Sequence, residues 1–224
     1  MKKFYSVFCI FMTILMLSGC SQGTIRDPQD TDSVSKDNSA STSEQTENQS
    51  DIKVSFFHAD WPYYDSVNSL VGASSNVFEG KLTNIYFDVI DLYTGKSASK
   101  DSKTSKPQIY TIYEVEVYSS YKGVTADKVY IKVIGGLKGY MESAQYEKLN
   151  EYGIYDKNVG ISVLDYIQPL TIGKTYLFLT GEHAGPYYNI VNNTQFAYDT
   201  MESEETSSFG FNEIKSYVTS TSRQ

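Results

Sequence analysis

The chain has 224 residues, a formal net charge of −8 at pH 7 and only two cysteines. Neither the segment 21–51 nor the chain after it is basic, which argues against nucleic-acid partners, because their phosphates are bound by excess positive charge. Twenty tyrosines favour a β-rich domain, since tyrosine suits strands and keeps its hydroxyl at a wet surface. A carbohydrate-stacking surface is a sharper interpretation of the same tyrosines.

The N-terminus has the composition of a secretory signal peptide. Lys2 and Lys3 precede an almost wholly apolar run over Phe4–Leu17, and small residues then lead to Cys20. This run is shorter than the roughly 20 apolar residues of a membrane-spanning helix. Leu17-Ser18-Gly19-Cys20 resembles the lipobox of bacterial lipoproteins. The resemblance implies cleavage before the cysteine, a diacylglycerol thioether on its sulfur, and a membrane-anchored protein on the extracytoplasmic face.

Two other interpretations of this N-terminus are an uncleaved anchor and a plain secretory peptide. A plain secretory peptide needs no cysteine at its cleavage point, so the sequence favours the lipoprotein. Cys9 then leaves with the signal and Cys20 is consumed by lipid, so the mature chain has no disulfide. A long acidic linker suits the outer face of a single-membrane, Gram-positive cell.

Composition divides the chain into four parts. Residues 1–19 form the signal peptide, and residues 20–51 form the lipidated cysteine and a linker rich in Ser, Thr and acidic side chains. The linker has too few apolar residues to offset the entropy of ordering, so we expect a disordered tether. Residues 52–200 form one β domain, and residues 201–224 form a tail with a short helix.

The β domain is expected to begin with a short helix and a long bent strand. An apolar stripe at helical spacing follows Asp65, the expected N-cap, and Gly72 lies where the helix should stop. Asn76–Asp88 alternates as a strand, but its apolar phase slips by one residue after Leu82, as at a β-bulge. Gly80 permits a sharp bend of this strand.

Six further strands are predicted after a polar, lysine-bearing loop that ends at Gln108. They lie at 109–119, 129–133, 161–164, 174–179, 187–191 and 194–198, with a weak helical pattern over 141–152 from Met141, Ala144, Leu149 and Tyr152. The strand 174–179 ends in the apolar run Tyr176–Leu179, which is typical of a central strand. Asn192-Asn193 predicts a two-residue hairpin turn. Ile214 and Val218 predict the helix of the tail.

Few residues that carry catalysis are present. The only histidines are His58 and His183, and the chain has no Gly-rich phosphate loop and no serine-elbow motif. Glu114 and Glu116 alternate on the outer face of a strand, where carboxylates are usually solvated rather than catalytic. We therefore expect no catalytic residue, no metal site and no cofactor. The one site residue is Cys20, as the lipidation site.

A series of short motifs follows the same order as in a known family. These motifs are Val77-Phe78-Glu79-Gly80-Lys81-Leu82, Tyr113-Glu114-Val115-Glu116-Val117, Tyr121-Lys122-Gly123, Val129-Tyr130-Ile131, Gly135-Gly136 and Leu170-x-x-Gly173-Lys174-x-Tyr176-Leu177. Over about 76–180 the chain resembles netrin-like modules, which include the tissue inhibitors of metalloproteinases, and a group of lipoproteins of Gram-positive bacteria. The resemblance implies a mainly β fold, an OB-like Greek-key barrel with short flanking helices. The animal modules carry disulfides, and this chain has none.

Three functions remain open at this point. The first is a non-enzymatic binding or structural module, anchored to the membrane through Cys20, with a protein or a cell-wall glycan as its ligand. The second is a surface hydrolase that uses His183 or the glutamates. The third is an inhibitor of an extracellular enzyme. The shortage of acid, base and metal-binding groups favours the first.

Overall fold

The computed structural model describes residues 52–100, 105–124, 126–201 and 209–221. Cys20, the signal peptide and the linker lie outside these residues, so what the sequence predicts for them stays a prediction. The described part is mainly β. Its elements are β1 (Val54–Phe57), α1 (Val67–Ala73), β2 (Asn76–Asp91), β3 (Pro107–Lys122), β4 (Lys128–Ile134), α2 (Glu142–Glu151), β5 (Ile161–Leu164), β6 (Thr175–Ala184), β7 (Tyr187–Ile190), β8 (Ala197–Asp199) and α3 (Phe211–Thr221).

One six-stranded sheet dominates the fold, in the order β2-β3-β4-β7-β6-β8. β2 also pairs antiparallel with β6. Each strand therefore pairs with two others within the group of five strands β2, β3, β4, β7 and β6. The β4–β7 pairing is parallel, and the other pairings in this sheet are antiparallel. β1 and β5 form a separate parallel pair, in which Val54 lies opposite Ile161 and Phe57 lies opposite Leu164.

Helix α1 begins one residue later than predicted. Its N-cap is Ser66 rather than Asp65, because the Ser66 hydroxyl accepts a hydrogen bond from Ser69 N at 3.2 Å and the Ser69 hydroxyl reaches back, as in a capping box. The helix also continues through Gly72. The Lys122 ammonium donates to two carbonyls at its C-terminal end and so satisfies groups that the helix itself leaves unpaired.

The predicted bulge in β2 is confirmed. Leu82 lies opposite Val115, but Asn84 lies opposite the adjacent Glu114, so one residue of β2 is left out of the register. β2 continues to Asp91, three residues beyond its predicted end, because β3 begins at Pro107 and pairs along this whole extension. The polar loop is correspondingly shorter than the sequence indicated.

Two details of the predicted pattern are wrong. Of the four residues predicted to form the apolar stripe of α2, only Leu149 is buried, and the second buried residue is the polar Gln145. The predicted hairpin at Asn192-Asn193 does not form, since β7 and β8 both pair with β6 and not with each other. Asn192 instead holds loops together: its amide donates to Pro62 O at 2.6 Å and its Oδ1 accepts from Thr194 N at 2.7 Å.

The main core lies between the large sheet, α1 and α3. It includes Leu70 from α1, Phe78 and Leu82 from β2, and Phe178 from β6, all without exposed surface. The predicted helix of the tail is confirmed as α3, and its two predicted core residues, Ile214 and Val218, are buried. None of the described helices is long and apolar enough to cross a membrane.

Candidate functional site

An open cleft of about 430 Å³ lies beside the ends of β1 and β5. Its lining is mostly apolar and comes from Phe56, Ile85, Tyr113, Leu137, Tyr140, Val163, Leu164, Tyr166, Ile167, Pro169 and Leu170, with Lys138, Asp165 and Gln168 as the polar members. Five stretches of the chain therefore meet here: β1, β2, β3, the segment before α2, and β5 with the segment after it. A cleft of this size and character is typical of a ligand-binding site.

Two aromatic side chains of the lining remain largely exposed. Phe56 is 55% exposed and Tyr166 is 59% exposed, although large apolar side chains are normally buried. The Lys138 ammonium lies 5.2 Å from the centre of the Phe56 ring, at cation–π distance. Deeper in the cleft, Tyr113 is almost fully buried and joins the lining to the main core.

One wall of the cleft, the segment Leu137–Tyr140, is held by the amide of Gln145. Gln145 Oε1 accepts from Leu137 N at 3.1 Å, and Nε2 donates to Leu137 O at 2.7 Å and to Tyr140 O at 2.6 Å. The side chain is completely buried, so these bonds do not compete with water. This explains why a polar residue occupies the buried face of α2, where the sequence indicated an apolar one.

The opposite wall, the segment Asp165–Leu170, is held from the β7–β8 connection. Gln168 N donates to Asn193 O at 3.0 Å, and the Asn193 amide donates to Tyr166 O at 2.8 Å. The Gln168 amide donates to Ala197 O at 2.6 Å. Both walls are therefore fixed by the fold, and the cleft is preformed rather than assembled by a ligand.

A histidine–carboxylate pair lies at the edge of the cleft. His58 Nδ1 lies 2.8 Å from Asp165 Oδ2, and His58 Nε2 lies 3.4 Å from Asp60 Oδ1. The hydrogen bond to Asp165 raises the pKa of His58, and the same bond lowers the pKa of Asp165. Within the described chain, His58 has no hydrogen bond to a serine, threonine or cysteine. Among the described residues, the pair therefore has no bonded nucleophile of the kind that a catalytic triad uses.

The residues considered for a hydrolase are not brought to this cleft. His183 lies in the β6–β7 hairpin, where its Nδ1 is 3.3 Å from Gly185 O and its ring packs against Tyr188. Glu114 Oε1 is 2.6 Å from the ammonium of Lys128, in a pair between β3 and β4. No group of three or more His, Cys, Asp or Glu residues in the described part of the chain is placed to hold a metal ion.

The polar loop between β2 and β3 is organised by Asp91. Its Oδ1 accepts from Tyr93 N at 3.1 Å and from Thr94 N at 2.8 Å, and its Oδ2 accepts from Ser105 Oγ at 2.8 Å and from Lys106 N at 2.6 Å. These bonds, the Ser105 bond foremost, lower the pKa of Asp91 to about 2 from its ordinary 3.8. Asp91 therefore ties both ends of the loop to the sheet.

The low pKa of Asp91 predicts a pH-dependent contribution to stability. A carboxylate whose pKa is lower in the folded state stabilises the fold above pH 4, and this contribution is lost as the pH falls towards 2. We expect Asp91→Asn to melt several degrees below the unmodified protein at pH 6, and the difference to shrink between pH 4 and pH 2. Thermal melts at pH 6, 4 and 2 measure it, and a constant difference would contradict the proposed role.

Comparison of the sequence with models of known protein families gave no match. Comparison with curated proteins gave no match either.

Proposed function

We propose that β2, β3, β4, β7 and β6 form an OB-like Greek-key barrel, related to the netrin-like modules. The support is the pairing order, in which β2 pairs with β3 on one side and β6 on the other, and β4 and β7 are parallel. A five-stranded Greek-key barrel of this kind closes its edges by such pairing. The position of α2 between β4 and β6, and the close approach of β2 and β3 at Gly80, agree with it.

We propose that the protein is a lipid-anchored, extracytoplasmic binding module that holds a ligand in the cleft and does not convert it. The observation that carries this proposal is the preformed apolar cleft with Phe56 and Tyr166 exposed at it. Exposed aromatic rings beside a fixed apolar cavity are a common means of ligand capture. His58 and Asp165 can orient a bound group, and the absence of a hydroxyl or thiol bonded to His58 among the described residues supports binding without conversion.

Ligand capture in cells is tested by a photo-crosslinking amino acid, p-benzoylphenylalanine, placed at Tyr166. We expect ultraviolet light to give an adduct, visible as a mass increase on the peptide that contains position 166. The control position is Tyr93, which is 75% exposed and lies in the β2–β3 loop rather than in the cleft. Equal adducts at both positions, or none at either, would argue against a ligand-binding cleft.

The membrane anchor is tested by Cys20→Ser. Serine cannot form the thioether, so we expect the variant to lose incorporation of a clickable palmitate analogue and to leave the membrane fraction or retain its signal peptide. The matched control is Cys9→Ser, which changes the other cysteine and should label normally. Equal labelling of the Cys20→Ser variant and the unmodified chain would refute the lipoprotein assignment.

A further inference from the structure

We propose that the ligand of the cleft is an extended peptide, which adds as a strand to the open edge of β1 and places a large apolar side chain in the cleft. This proposal rests on the binding function proposed above and specifies its ligand. The proposed peptide site is formed by β1 and the cleft, and it does not include the β2–β3 loop.

β1 is an edge strand among the described residues. In the described chain it pairs with β5 alone. Ile161 N donates to Lys53 O at 2.8 Å and Asp165 N donates to Phe57 O at 2.9 Å, so alternate residues of β1 direct their backbone groups towards β5. Since these directions alternate along a strand, the N–H and C=O groups of Val54 and Phe56 face away from β5. That edge offers a strand-shaped row of donors and acceptors.

The composition of this edge also favours strand addition. Proteins usually protect an open strand edge with lysine, proline or a covering loop. β1 has the sequence Val-Ser-Phe-Phe, without a charge or a proline, and Phe56 is exposed on it. No described segment pairs with this edge, and an open edge beside side-chain pockets is the arrangement used by domains that bind peptides by β-strand addition.

Phe56 belongs both to the open edge of β1 and to the lining of the cleft. Phe56 lies opposite Val163 in the β1–β5 register, and Val163 also lines the cleft. Paired positions on neighbouring strands project to the same face of a sheet, so a peptide residue beside Phe56 would project towards the cleft. In a single register, a peptide can therefore pair its backbone with β1 and insert a side chain into the cleft.

The state of the polar groups favours a peptide over a glycan. Asp165 is engaged by His58 and by Tyr166 N, and Gln168 Nε2 donates to Ala197 O, whereas Gln168 Oε1 is buried without a hydrogen-bond partner among the described residues. Lys138 lies over the Phe56 ring. A sugar needs many side-chain hydrogen bonds for its hydroxyls, whereas an added strand takes its hydrogen bonds from the backbone and needs only an apolar pocket.

The experiment uses the full chain in lipid nanodiscs, which avoids detergent in the apolar cleft. Phage-displayed random heptapeptides are selected on these nanodiscs and on empty ones. We expect the enriched peptides to share a large apolar residue at one position. No enrichment over empty nanodiscs would overturn the proposal.

The mode of binding is then measured with a synthetic copy of an enriched peptide. Two N-methylated versions are compared: one carries methyl groups on the odd-numbered peptide residues and the other on the even-numbered ones. Only one of these two sets of N–H groups faces β1, so one version should bind at least about tenfold more weakly and the other should bind almost unchanged. Equal binding of both methylated peptides would overturn strand addition.

A variant of the protein gives the complementary measurement. Val54→Pro removes an N–H from the open edge while leaving the bonds to β5, so we expect about a tenfold loss of peptide affinity. The melting temperature should fall only by what the half-buried Val54 side chain contributes to its cluster. Tyr93→Ala is the control and should bind as the unmodified chain does. Undiminished binding to Val54→Pro would overturn the proposal. A crosslinked adduct at position 166 with the mass of a sugar or lipid would also overturn it, while leaving the proposed binding function intact.

Discussion

Gly80→Val is expected to lower the free energy of unfolding by about 3 kcal/mol, through overpacking and displaced backbone. A side-chain carbon built on Gly80 would lie 2.5 Å from Val115 Cγ1 and 2.6 Å from the backbone oxygen of Glu116. Neither contact can be relieved by moving the end of a flexible side chain, because one partner is a buried branched residue and the other is backbone. The strands β2 and β3 would have to separate.

The control for this substitution is Gly72→Ala. Gly72 is exposed in α1 and has no atom within 4 Å of the position a side chain would take, so alanine should stabilise the helix by about 0.5–1 kcal/mol. Chemical denaturation of the full chain measures both variants. If Gly80→Val were neutral or stabilising, valine's preference for strands would be the dominant effect, and the closed pairing of β2 proposed above would lose its support.

The second large effect is expected for Gln145→Leu. Leucine has a similar volume, but it leaves Leu137 N, Leu137 O and Tyr140 O without their buried partner, and each such loss costs about 1–3 kcal/mol. Because the segment can move part of its backbone towards solvent, we expect a total loss of about 3 kcal/mol. The same movement should displace a wall of the cleft and weaken ligand capture.

Glu147→Leu provides the matched control, since residue 147 is exposed on the same helix. It should change the stability by less than about 0.5 kcal/mol. Denaturation curves give the stability, and crosslinking at position 166 gives the state of the cleft. A Gln145→Leu protein that is as stable as the control would show that the hydrogen bonds of this amide do not hold the wall.

Most strands of the large sheet were predictable because their apolar residues alternate locally, and β6 was predictable from its apolar run Tyr176–Leu179. The phase slip after Leu82 even located the bulge of β2. The cleft was not predictable, because it is made by five stretches that are remote in the sequence. Gln145 carries no local signal of its role, since its partners lie on a loop whose path depends on the tertiary structure.

Similar reasons explain the details that the sequence misplaced. Asn192-Asn193 has the composition of a hairpin turn, but its side chains bond to loops, and the true hairpin joins β6 to β7. β1 has too few residues to show alternation, and its partner β5 begins more than a hundred positions later. The signal for such a pairing lies in the fold as a whole rather than in either segment.

The separation between β1 and β5 has a consequence for biosynthesis. His58, just after β1, is 107 positions from its partner Asp165, just after β5. A ribosome that adds roughly 5–20 residues per second needs about 5–20 s to cover this interval, whereas a local hairpin forms in microseconds. The nascent β1 therefore has no partner strand for seconds, and Phe57 stays uncovered during that time. Any variant that slows synthesis lengthens the interval in which β1 has no partner strand.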